Sequence, residues 1–253
     1  MSLSEAFLAS MAVVAGGIAG VGISYMVLLI VSKSQRFRRD GIRIARPAPG
    51  KLLIGILAFL VSWLVQSAVI SFVLAVLLSK GLESVLGGFL KQFDPCIGAL
   101  IAPANSMSVS IAVVKGFLAA LIQTSAKYIS VRRETIFNNA FSIGLGFGLT
   151  EAIFFSWYTY RSVAFYCPVY PTLNLWDLFK ERIIATSFHV FSTPFLTFNS
   201  KGWGKQILWF ILIAVLHGLI DSGLFKMFFA GLSSIVLHML YRLQSVLNRF
   251  SWT

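Results

Sequence analysis

The stretch AVLHGLIDSG, from Ala214 to Gly223, sets His217 and Asp221 four residues apart inside an otherwise apolar run. On a helix that spacing puts imidazole and carboxylate on one face, one turn apart. Two further apolar segments carry groups of the same kind: GLGFGLTEAIFF holds Glu151 and ERIIATSFHVFST holds His189. Ionisable side chains are costly at membrane depth and by default mark a functional interior there. Glu151, His189, His217 and Asp221 are therefore one candidate catalytic site. Its natural chemistry is proton transfer, with a carboxylate taking a proton from water while the imidazoles orient that water or stabilise an oxyanion. His189, His217 and Glu151 are equally a set that ligates zinc with an open position for water. No HExxH motif is present to favour that alternative, and the cofactor question stays open on the sequence.

The elements that must position these groups follow from composition. The 253 residues are 57% hydrophobic and only 12% charged, and their mean hydropathy is +0.83. Charged residues make up about a quarter of an ordinary soluble chain, so this composition implies an integral membrane protein. Two cysteines and three histidines exclude a disulfide scaffold or a thiolate metal cluster. The net charge of +12 sits in short loops beside apolar runs, which points to topology and anionic lipid headgroups rather than nucleic acid. Runs long enough to cross a core of about 30 Å lie at 6–31, 52–79, 98–126, 136–157, 178–198, 206–224 and 227–247. The expected fold is all-α: a single polytopic membrane domain over 1–253 with about seven transmembrane helices and its polar core within 116–224. The run from Ala6 lacks a basic start and reads as a retained span, not a signal.

The loop from Lys33 to Lys51 carries seven Lys and Arg against one acid, so the positive-inside rule makes it cytoplasmic, with the N-terminus outside and the C-terminus inside. That count assigns Lys127, Arg132 and Arg133 to a second inner segment, and 158–177 to an outer loop. Pro103 and Asn105 interrupt the third run, so its span starts either near residue 98 or near Met107 after a surface or re-entrant piece. Gly144 and Gly148 form a small-xxx-small pair that admits a neighbouring helix; without a β-α-β context, the Gly144, Gly146, Gly148 triplet is not a nucleotide loop. Seven of the nine acids fall at the N-terminus or near span ends, leaving Glu151 and Asp221 inside. Lys115 lies within the third run and either snorkels or pairs with one of those two acids. His238 has no acid near it and reads as structural. Asp221, one turn from His217, is expected to hold that ring and brace the helices. The topology puts Cys96 and Cys167 on one side, which is compatible with a disulfide.

The residues GLGFGLTEAI, then Glu181 and Arg182 with His189 seven residues after the arginine, then HGLID resemble the YhfC-like family of intramembrane proteases. That family is grouped with the CAAX prenyl proteases, the PrsW-type proteases and the anterior-pharynx-defective subunit of gamma-secretase. The resemblance covers about Gly116 to Gly223. It implies peptidase activity on membrane substrates, with His189, His217 and Asp221 matching the family's later histidines and acid. The chain departs at the first element, where the family has adjacent glutamates followed by an arginine: here Gln123, Thr124 and Lys127 stand instead. Phe147 stands where members commonly have histidine in the glycine motif. Gln and Thr are no general bases near neutral pH, so the catalytic carboxylate would be Glu151. The gamma-secretase subunit implies a different outcome, a scaffold without catalysis that binds a partner's transmembrane helix. A proton-coupled transporter is the remaining alternative, with no inverted repeat to support it. Expected partners are membrane lipid and a membrane-protein substrate or partner helix.

Overall fold

The computed structural model describes residues 3–32, 46–77, 109–164, 174–198 and 203–221. These form six helices: α1 (Leu3–Ser32), α2 (Pro49–Leu77), α3 (Val109–Val131), α4 (Phe137–Ala164), α5 (Leu175–Phe198) and α6 (Trp203–Asp221). Local chemistry sets several ends. Pro49 opens α2, where a missing N–H costs nothing, and the Ala48 carbonyl accepts from the N–H groups of Lys51 and Leu52 at 3.0 Å. Asn174 caps α5, its Oδ1 accepting the Trp176 N–H at 3.0 Å, with Asp177 in the first turn facing the positive end of the helix dipole.

α4 is the central helix. Every residue from 140 to 148 is buried, and α4 packs against α1, α2 and α5, while α3 packs against α6 and α2. Phe141, Leu145, Leu28 and Val190 form one apolar cluster; Ala140, Ile143, Val131, Leu196 and Ile213 form another. Although joined by a short loop, α3 and α4 touch each other least among the packed pairs.

The protein is α-helical, and α1, α2 and α4 are long and apolar enough to cross a membrane. The expectation of about seven crossing helices is met only in part. α5 carries Asp177, Lys180, Glu181, Arg182 and His189 along its length, and α6 is apolar over the shorter stretch Gln206–Asp221. The run at 227–247, with His238, lies outside the described residues, as do Cys96, Cys167 and most of the basic loop.

Three boundaries differ from the sequence reading. α4 continues to Ala164 and α5 begins at Leu175, so residues 158–164 and 175–177 are helix, not loop. Tyr160 packs against the Ala6, Ala9 and Val13 cluster, and Thr159 is fully buried, so tertiary contact extends the helix past the aromatic run. α3 is described from Val109, and the two expected starts, near 98 and near Met107, lie outside the described residues. This helix runs on to Val131, which makes Lys127 a core residue and not a loop cation.

Candidate active site

The close approach of α4 and α5 builds the site. A Cβ on Gly144 would come within 2.8 Å of the His189 carbonyl oxygen, and one on Gly148 within 3.2 Å of the His189 Cβ. Only glycine at these positions lets the two backbones come so near. The small-xxx-small expectation thus finds its neighbour in α5. One turn beyond Gly148, Glu151 Oε2 lies 2.5 Å from His189 Nε2. Its Oε1 lies 3.8 Å from Arg182 Nη1. Arg182 is two turns before His189 on the same face, stacks its guanidinium 4.0 Å from the Phe155 ring centroid, and also bonds Glu181 at 3.1 Å.

Lys127 fixes the other side of His189. Its side chain is fully buried, and its Nζ lies 3.2 Å from His189 Nδ1 and 3.0 Å from Ser192 Oγ. The Phe188 and Phe147 ring centroids are 5.1 and 5.7 Å away, within cation-π range. An ammonium group can only donate, so beside Lys127 Nδ1 accepts and the ring proton sits on Nε2, which faces the Glu151 carboxylate at ion-pair distance without a hydrogen bond of good geometry. Lys127, His189 and Glu151 thus lie in one line of polar contacts.

The second histidine is held more loosely. His217 Nδ1 lies 3.3 Å from Thr124 Oγ1, and its ring is 4.8 Å from that of His189 at 83°. Asp221 Oδ2 is 3.5 Å from His217 Nε2, and the Asp221 side chain is 21% exposed. That distance exceeds the usual N–H···O range, and Nε2 has no hydrogen-bond partner among the described residues. The expectation that Asp221 holds His217 through a firm bond is therefore corrected. The i, i+4 spacing brings the two side chains to ion-pair distance here without closing a hydrogen bond.

A cavity of about 420 Å³ opens beside these groups, between α2, α3 and α4 and the facing ends of α5 and α6. Glu151, Gln123, Gln66, Arg182 and Asp221 supply polar lining; Phe59, Trp63, Phe154 and Trp157 supply aromatic walls. Lys115 lines the same cavity as both interior acids. All four expected site residues thus lie in one region, with Glu151 and Asp221 on the cavity wall and both histidines 1% exposed behind it.

The zinc alternative does not fit these residues. No group of three His, Cys, Asp or Glu side chains among the described residues is placed to hold a metal. Both nitrogens of His189 are engaged, one of them by a lysine ammonium that would face the metal charge. The sequence reading assigned Lys127 to an inner segment and quoted Arg182 only within the resemblance, and it gave neither a role in the site. The helical spacing offered a signal: Lys127 is three residues from Thr124, and Arg182 seven from His189, each on a shared face. Nothing in the sequence singled out Gln66. Compared with protein-family models, curated proteins and solved structures, the chain has no match.

Proposed function

We propose that this chain is a divergent YhfC-like protein with about seven spans, N-terminus outside and C-terminus inside, that hydrolyses a peptide bond of a membrane segment. The observation that carries the reading is the position of Glu151, an acid 2.5 Å from a buried histidine and on the wall of the cavity. Glu151 takes a proton from water, the hydroxide adds to the scissile carbonyl carbon, and the proton passes to the leaving amine. His189, oriented by Lys127, keeps Glu151 ionised and aimed. His217, with a proton on Nε2, donates to the developing oxyanion. The register of the resemblance is supported by its own departures: Gln123 lines the cavity and Thr124 touches His217, where an acid pair would meet the same histidine.

The test is cleavage of a helical membrane substrate by the purified protein in liposomes. Cleavage that disappears with Glu151→Gln is expected; equal cleavage by the variant overturns the assignment. One observation favours a second reading, the scaffold: the chain from Lys127 through His189 to Glu151 ties α3, α4 and α5 together as a brace would. Stable copurification with another membrane protein, without cleavage of it, would favour that reading.

A further inference from the structure

Gln66 on α2 and Gln123 on α3 meet at the cavity and use only part of their hydrogen-bonding capacity. Gln123 Nε2 donates to Gln66 Oε1 at 2.9 Å. Gln123 is 5% exposed, and its Oε1 has no partner among the described residues. Gln66 is half-buried and makes no other hydrogen bond among the described residues. Two side-chain amides that share one N–H···O bond leave one carbonyl oxygen and one set of N–H groups over. Turning both amides by 180° exchanges which residue offers which, but the pattern presented to the cavity stays the same. A buried acceptor left unmade costs stability, so the pair has a standing demand for a ligand with one donor and one acceptor.

We propose that Gln66 and Gln123 clamp the backbone N–H and C=O of one residue in a locally unwound, extended membrane segment, where both groups point to the same side. The segment's N–H donates to the free carbonyl of the pair, and its C=O accepts from the free amide N–H. Carboxylates in these places would accept only, so the glutamine at 123 gives this chain a mode of recognition that an acid pair lacks. An intact helix offers neither group, since its N–H and C=O groups bond each other four residues apart. The ligand class is therefore a segment whose helix is broken at Gly or Pro, with apolar side chains for the Phe59, Trp63 and Phe154 walls. This deepens the hydrolytic reading, on which it rests for the ligand's place beside Glu151, because a peptide bond must leave the helix before water can reach its carbonyl.

The test uses the full chain in lipid nanodiscs and synthetic transmembrane peptides of about 20 residues. One carries a central Gly-Pro break, one is an unbroken Leu-Ala peptide, and a series replaces single backbone N–H groups beside the break with ester oxygen. Binding is read by the fluorescence of Trp63 and Trp157 in the Glu151→Gln background, where nothing turns over. The broken peptide should bind about tenfold tighter than the unbroken one, and one ester position should weaken it about five- to tenfold. That ester penalty should vanish with Gln123→Leu or Gln66→Leu, or with the nearly isosteric Gln123→Met and Gln66→Met where leucine prevents folding. A merely structural Gln66–Gln123 bond would leave the ester penalty unchanged. If no ester position weakens binding, or if the penalty persists in the glutamine variants, the clamp is overturned. Cleavage is scored separately in the unmodified chain. Binding with the ester penalty but no cleavage keeps the clamp and sinks the hydrolase; cleavage without the penalty does the reverse.

Discussion

Glu151→Gln should destabilise the fold, and Lys127→Met should then restore part of what was lost. The Glu151 side chain is 14% exposed, 2.5 Å from His189 Nε2 and 3.8 Å from Arg182, while Lys127 is fully buried behind the same ring. Removing one member of a buried charged pair costs about 3 to 5 kcal/mol, because the other charge is left uncompensated. Gln keeps the shape and can still accept from His189, and Arg182 keeps Glu181 as a partner, so the lower end, about 3 kcal/mol, applies. At about 2 to 4 °C per kcal/mol for a chain of this size, the melting temperature should fall by about 6 to 12 °C. Lys127→Met alone should cost a similar amount. Replacing both charges by neutral side chains of similar volume is often nearly neutral, so the double variant should be at least about 2 kcal/mol more stable than the sum of the single losses. Thermal melting in detergent of the parent, both single variants and the double variant measures this coupling. If the losses add to within about 0.5 kcal/mol, as they do for independent sites, the chain from Lys127 through His189 to Glu151 is not the unit described here.

Three further outcomes follow from named contacts. Asp221→Ala should cost less than about 1 kcal/mol, the range for a weakly held, partly exposed pair, and so melt above Glu151→Gln. A larger loss would mean that Asp221 braces the fold despite its 3.5 Å separation from His217. Gly146→Leu should prevent α2 and α4 from docking, because any Cβ there runs into the Leu52 backbone carbonyl, and overpacking costs about 1 to 3 kcal/mol even where neighbours yield. Parent-like melting would refute that docking. At the α3 to α4 loop, partial burial works against ionisation of Glu134, but hydrogen bonds from Lys51 and Asn139 and the Lys51 charge outweigh it and hold its carboxyl below the usual glutamate value. A lowered folded value means that the Lys51–Glu134 bridge contributes stability above the ordinary glutamate range and loses it as pH falls through the lowered value. Melting measured against pH should show that acid-side loss in the parent, and a smaller one in Glu134→Gln.

Composition and hydropathy were enough to indicate helices long and apolar enough for a membrane, because in lipid the backbone must satisfy its own hydrogen bonds. Six of the seven expected apolar runs contain a described helix. That Glu151, His189, His217 and Asp221 belong to one region was legible for a related reason: ionisable groups are too costly in an apolar run to occur there without cause. Gly144 and Gly148 announced a close helix neighbour through their spacing alone. Tertiary structure decided which neighbour, and which partner each ionisable group takes. Periodicity fixes which residues share a face but says nothing about how one helix is rotated against another, so it could join His217 to Asp221 within α6 but not Glu151 to His189 across α4 and α5. Hydropathy reads Lys127 and Arg182 as span-end charges. Only packing against His189, Phe188 and Glu151 turns these cations into parts of the core, because a buried charge is tolerable only where other elements bring donors, acceptors and counter-charges to it.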